Sequence, residues 1–269
     1  MLSLPNRWQI RGNAVLRDLS NFSLLHHRDV DGALVSMHQS GTHWLKYMLA
    51  IALSKKYGVA PPRYNHANDI IGGPGDSRPA PPLPRLVASH SVPHALIALP
   101  VFRRLLGLPP YVVLIRDLRA SLVSNYGKWR QRYAVSFDEY LRGDPSEHRY
   151  NSDLWWCLRF LNGWGRVAVR YPDTTLVVRY EDLLVDTAKQ LDRISAFLQL
   201  DLSAMQCRAA ISAASREQMA LRHDPTRPEG EVSLESLNPK EYFGAHQRRY
   251  LALVCEKYLR HPLGYDYSV

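Results

Sequence analysis

The sequence has little cysteine: Cys157, Cys207 and Cys255 lie far apart and form no CxxC pair. That argues against a disulfide scaffold or a structural zinc site and fits a reduced cytoplasm, so no metal is expected. It also lacks a long apolar run. The longest, 44–53, contains Lys46 and stops at Ser54-Lys55-Lys56, well short of a bilayer span, so no membrane helix is expected. Pro5, Arg7, Arg11 and Arg17 stand where a secretory signal would need an uninterrupted apolar core. No export signal is read, and a cytoplasmic location is expected. Internal repeats are absent, as are arginine-rich runs and basic patches interleaved with aromatics, so no nucleic-acid partner is expected.

What the chain does contain is ordinary for a globular protein. Its 269 residues are 46% hydrophobic and 22% charged, which excludes a largely disordered chain, a collagen or a coiled coil. With 34 Lys+Arg against 25 Asp+Glu the net charge is +9, which suits nucleic acid, an anionic membrane surface or a phosphorylated small molecule. Peripheral membrane contact therefore stays open, and nothing bears on oligomeric state.

Apolar stretches rich in β-branched residues recur at 33–37, 86–88, 111–115 and 174–178, as buried parallel strands do. Helical patterns follow at Thr42–Tyr57, 120–133 and 187–198, and another closes the chain at 245–259. The alternation predicts an α/β fold, an open parallel β-sheet flanked by helices, in one domain over 1–269. Ligands of such sheets bind beyond the carboxyl ends of the strands. Residues 58–85, crowded with proline and glycine, and the polar stretch 216–240 are expected to be irregular.

The most informative segment is His38-Gln39-Ser40-Gly41-Thr42-His43-Trp44-Leu45, where a strand turns into a buried helix. Consecutive N–H groups converge at such a junction, Gly41 permits close approach of an anion, and the Ser40 and Thr42 hydroxyls add donors. The alternative is a plain helix cap by Ser40 or Thr42. The Walker pattern GxxxxGK[ST] is missing, which removes the main support for an ATPase or kinase. Further along, Arg116 ends a strand and Ser124 lies about two turns into the next helix if Asp117 caps it. An Arg fork with a Ser hydroxyl can hold one phosphate.

Together these segments resemble the sulfotransferase family, in its cytosolic and bacterial forms, that uses 3′-phosphoadenosine 5′-phosphosulfate (PAPS). HQSGTHWL at 38–45 is similar to that family's 5′-phosphosulfate loop, approximately PKSGTTWL. Arg116 and Ser124 reproduce the spacing of its 3′-phosphate motif, Tyr180-Glu181-Asp182 its strand-end YED segment, and Ser89-His90-Ser91 its THLP segment. The order of the four also matches.

The resemblance implies a P-loop-like nucleotide-binding fold and sulfuryl transfer from PAPS, without metal, to a hydroxyl or amine of a small acceptor. His90 would be the general base, with His94 in reserve. Gln39, Ser40, Gly41, Thr42 and His43 would surround the 5′-phosphosulfate, Arg116 and Ser124 the 3′-phosphate, and Tyr180 and Trp44 the adenine. The family's basic late stretch is absent as such; Arg222, Arg227 and Lys240 lie in the comparable region, any of them a candidate to close over the 3′-phosphate. The main departure is Gln39, where the family has a lysine on the leaving phosphate bridge. An amide donates a hydrogen bond without charge, so its contribution falls from about 1.5–3 toward about 0.5–1.5 kcal/mol. Lys46 lies about 10 Å deeper along the helix; His43, if protonated, or Arg78 is the alternative cation. Tyr64, His66, Tyr133, Phe137, Tyr140, Trp155, Trp156, Phe160 and Trp164 are candidates to line a pocket for a hydrophobic or aromatic acceptor, or are core. Two other readings remain: a PAPS- or bisphosphate-binding protein weakened by the Lys-to-Gln change, and a P-loop phosphotransferase.

Overall fold

The computed structural model describes residues 6–20, 26–94, 99–226 and 237–268. In chain order the elements are α1 (Arg7–Ser20), β1 (Gly32–Ser36), α2 (Thr42–Tyr57), β2 (Ile71–Gly72), β3 (Leu86–Ser89), α3 (Pro100–Leu105), β4 (Tyr111–Ile115), α4 (Leu118–Tyr133), α5 (Phe137–Arg142), α6 (Leu154–Arg170) and β5 (Thr175–Arg179). After β5 come α7 (Tyr180–Val185), α8 (Thr187–Phe197), α9 (Ala204–Ala213), α10 (Arg216–Leu221), α11 (Pro239–Tyr242) and α12 (Ala245–Tyr258). The strands form one parallel sheet in the order β2-β3-β1-β4-β5.

Alternation along each strand sorts the core into two layers. Ala33, Val35, Tyr111, Val113 and Ile115 join the cluster that holds α4, α5, α6 and α12 residues. Leu34, Val112, Leu114, Leu176 and Val178 join the cluster built with α2, α8 and α9. Both faces of the sheet are therefore covered, which is why its strands read as continuous apolar runs. α2 is buried from Leu45 to Ser54, and Gly58 ends it in a left-handed conformation, φ 66°.

The chain runs from β1 to one side of the sheet, through β2 and β3, and then crosses to β4 on the other side of β1. That reversal opens a crevice at the carboxyl ends of β1 and β4. The stretch 58–85 is not wholly irregular: Ile71 and Gly72 pair with Leu86 and Val87, a strand too short to show alternation. Likewise 216–240 begins with α10, whose cap Ser215 accepts a bond from the Gln218 N–H. Among the described residues no helix is long and apolar enough to cross a membrane.

Candidate active site

Residues 37–41 join β1 to α2 at the mouth of the crevice. Gln39 and Gly41 both adopt positive φ, 61° and 92°. A Cβ at Gly41 would stand 2.7 Å from Cδ2 and Cε2 of Tyr180, so the glycine permits both the turn and the close ring. Gly41 is the N-cap of α2, and no side chain caps the helix. The plain cap by Ser40 or Thr42 is therefore not formed. The first helical bond runs from the Leu45 N–H to the Gly41 carbonyl, 3.0 Å. The N–H groups of Thr42, His43 and Trp44 thus have no partner within the helix and form its positive end, an anion cradle.

Ser40 behaves differently from the sequence expectation. It is fully buried, and its hydroxyl donates to the carbonyls of Met37 (2.5 Å) and Leu114 (3.3 Å), so it braces the turn from below. The Thr42 hydroxyl lies 2.7 Å from that of Ser36. From the neighbouring strand Arg116 donates to the Gln39 carbonyl, 2.8 Å, with its guanidinium carbon 4.6 Å from the centre of the Tyr180 ring. Asp117 does cap α4, accepting from the N–H groups of Arg119 and Ala120. The Ser124 hydroxyl then reaches the Gln39 side-chain oxygen, 3.3 Å. Gln39, Arg116 and Ser124 thus meet in one place.

Trp44 donates its indole N–H to the Ala214 carbonyl, 2.8 Å, and stands edge-on to Tyr180 at 6.0 Å. With Arg116 over its ring, Tyr180 forms one wall of the crevice. Arg222 ends α10, its carbonyl accepting from the Asn65 N–H at 2.9 Å while the residue is exposed. That bond ties the end of α10 to Asn65, next in sequence to His66, which lies edge-on to His43 at 6.4 Å. Arg227 lies outside the described residues.

His90 follows β3. Its Nδ1 lies 2.8 Å from the Ser36 carbonyl oxygen. A carbonyl only accepts, so Nδ1 carries the hydrogen and Nε2 keeps the lone pair. His90 is exposed by area although protein crowds it on most sides, which places it on the floor of an open recess. The crowding lowers its pKa below the ordinary 6.5; the Ser36 bond opposes that shift and the Lys128 charge adds to it. The ring is therefore neutral at neutral pH. His38 stacks on it at 3.9 Å and touches Trp156 at 4.5 Å. Burial lowers His38 to about 3 and His43 to about 4, so both are neutral as well. Behind His90, Trp164 donates its indole N–H to the Ser91 carbonyl, 2.9 Å.

The aromatic candidates divide sharply. Tyr140, Phe160 and Trp164 are fully buried and Trp155 nearly so, all within the core. Core packing is the role of these four. Trp156, Tyr64 and His66 remain beside the recess through His38 and His43. Sequence reasoning missed the supports of the site. Glu181 accepts from the Asp117 N–H at 3.0 Å and from the Tyr265 hydroxyl, and Tyr267 accepts from the Leu118 N–H at 3.0 Å. The signal was available as Tyr265-Asp266-Tyr267, but nothing local says that this segment returns to the start of α4.

A sequence model of the sulfotransferase domain matches residues 77–248. The chain belongs to the sulfotransferase family. Its class of reaction is sulfuryl transfer. The match covers His90, Arg116, Ser124 and Tyr180, while the phosphate loop lies ahead of it. No curated protein sequence matches the chain. Among solved structures it is similar to mouse sulfotransferase SULT7A1 complexed with PAP, at 18% identity and TM-score 0.61, over 88% of this chain and 87% of that one. It is also similar to retinol dehydratase in complex with retinol and PAP, at 18% identity and TM-score 0.62, over 94% and 88%. The same enzyme with androsterone and PAP gives 18% identity and TM-score 0.61, over 90% and 85%. At these identities the likeness shows that the sulfotransferase family member shares their fold.

Proposed function

We propose that the protein, one domain over 1–269, transfers a sulfuryl group from PAPS to a hydroxyl or amine of a small hydrophobic or aromatic acceptor. The observation that carries this reading is His90: a neutral ring, held by the Ser36 carbonyl so that Nε2 is the base, beside an uncapped helix end shaped by Gly41. The site fits PAPS, because the cradle that a Cβ at Gly41 would fill lies next to Arg116 and Ser124. PAPS supplies the sulfuryl group. The N–H groups of 42–44 hold the 5′-phosphosulfate, Arg116 and Ser124 the 3′-phosphate, Trp44 and Tyr180 the adenine, and Arg222 closes from the late segment. His90 Nε2 accepts the acceptor's proton as the new bond to sulfur forms. Structural neighbours crystallised with retinol and androsterone support a hydrophobic acceptor, as does Trp156 beside His38. The absence of a membrane-crossing helix among the described residues is consistent with a cytoplasmic enzyme.

Calorimetric titration of adenosine 3′,5′-bisphosphate beside 5′-AMP and ATP, on wild type and Arg116→Ala, tests the donor. The bisphosphate should bind about tenfold or more tightly than the other two, and Arg116→Ala should erase the preference. Equal binding of all three would sink the reading.

A further inference from the structure

Sulfuryl transfer forms a bond from the acceptor oxygen to sulfur and breaks the bond from sulfur to the bridging oxygen. The proton passes to His90 Nε2, and the bridging oxygen keeps the electron pair as it leaves with the bisphosphate. Charge grows on that oxygen, and the loop places an uncharged amide there, Gln39. Three other candidates near the loop do not serve. Lys46 is buried, its ammonium bonded to the His66 carbonyl and to the Asn68 side-chain oxygen. His43 is neutral. Arg116 is bonded to the Gln39 carbonyl and lies over Tyr180.

We propose that Lys128 is the catalytic cation, reaching the transferring sulfuryl group and its bridging oxygen from the α4 side of the phosphate loop. The proposal rests on the reading of the site given above. Its first support is a stripe along α4. The Ser121 hydroxyl donates to the His38 carbonyl, 2.6 Å, and the Ser124 hydroxyl to the Gln39 side chain, 3.3 Å. Lys128 stands four residues past Ser124 and seven past Ser121, on the same helix face. Its Cα lies about 6 Å further along the axis than that of Ser124, and helical side chains lean back toward the N-terminus, so a lysine there spans the turn toward the loop. The residue is exposed, with its ammonium 5.6 Å from the centre of the Trp129 ring. The second support is electrostatic. The Lys128 charge acts on His38, His43 and His90 alike, each lowered in part by it, whereas Lys46 acts only on His43. One cation therefore acts on the three histidines His38, His43 and His90.

The test compares Lys128→Met, which keeps the chain and drops the charge, with Lys128→Arg and with the double variant Lys128→Met/Gln39→Lys. Turnover is followed with PAPS and 2-naphthol and, acceptor-free, as sulfate release from PAPS; bisphosphate binding is followed by calorimetry. Lys128→Met should lower kcat about 100-fold while bisphosphate affinity stays within about threefold, because the charge matters where the oxygen becomes negative. Lys128→Arg should keep most of the rate, and the double variant should recover at least about tenfold by returning a cation through the loop. Removing the charge should also move the acid limb of kcat/KM to higher pH, since His90 loses a cation that depresses its pKa. A Lys128→Met rate within about threefold of wild type overturns the proposal, and so does lost affinity at unchanged kcat. Failure of the wild type to bind the bisphosphate is a separate result. It removes the PAPS reading itself, and this inference with it.

Discussion

The phosphate loop is shaped by its main chain, whereas the aromatic cluster of α4–α6 is shaped by its side chains. In the loop, positive φ at Gln39 and Gly41 turns the chain, and Ser40, Arg116 and Ser121 each donate to a carbonyl. Their bonds use up acceptors, so the N–H groups at the start of α2 stay directed outward. In the cluster, Tyr126, Tyr133, Phe137 and Tyr150 meet Tyr140 ring against ring at 5.3–6.2 Å. The Tyr140 hydroxyl is held by Ser152 and Asn125. A ligand at the loop finds groups already oriented; one at the cluster would have to displace packed rings. Abundant aromatics therefore say less about a binding site than one glycine does.

His90 sits between these two designs, a single side chain oriented by a main-chain carbonyl. Replacing it with alanine should give the largest effect on chemistry, lowering kcat by about 10²–10⁴ while bisphosphate binding is kept. The pH profile supplies a sign. A base works deprotonated, and a depressed pKa keeps it so, hence kcat/KM should hold as pH falls through 6.5 and decline only below it. Both are read from steady-state rates between acidic and neutral pH. A midpoint above 6.5, or retained turnover in the alanine variant, would remove His90 from the role of base.

The sequence was most legible where a function is written in consecutive residues. The four apolar runs became β1, β3, β4 and β5, and Thr42–Tyr57 is the helix that its composition predicts. The sulfotransferase family and its fold were legible for the same reason, since strand-end motifs are local. What stayed hidden depends on tertiary return. β2 is two residues held by β3, Glu181 is tied to the segment ending in Tyr267 about 85 residues later, and the bonds of Ser121 and Ser124 to the loop come from a helix one strand away. The hydroxyl of Ser40, read as a ligand donor, is drawn inward by two carbonyls that no local pattern reveals.

Gly41→Ala attacks the loop where its shape is most demanding. A methyl group must accept a left-handed backbone, about 1–2 kcal/mol for an L residue, and must also displace a Tyr180 ring at 2.7 Å. Bisphosphate affinity should fall at least about tenfold by calorimetry, with a smaller change in the urea midpoint. Unchanged affinity would mean that the loop yields freely and that its main chain is not what orients the anion.

Tyr140→Phe puts the same question to the cluster and should give the smallest functional effect. The hydroxyl accepts from Asn125 Nδ2 at 2.9 Å and donates to the Ser152 carbonyl at 2.9 Å. Its loss leaves those partners bonded to each other at 2.7 Å, so stability should drop by only about 1 kcal/mol in urea unfolding. Bisphosphate affinity should then stay within about twofold if the cluster is core alone. The sensitive link is Asn125, next in sequence to Ser124, which touches Gln39. A tenfold loss of affinity, about 1.4 kcal/mol, would show that α4 carries strain from the buried rings into the loop. The division between a site made by the main chain and a core made by side chains would then fail at that residue.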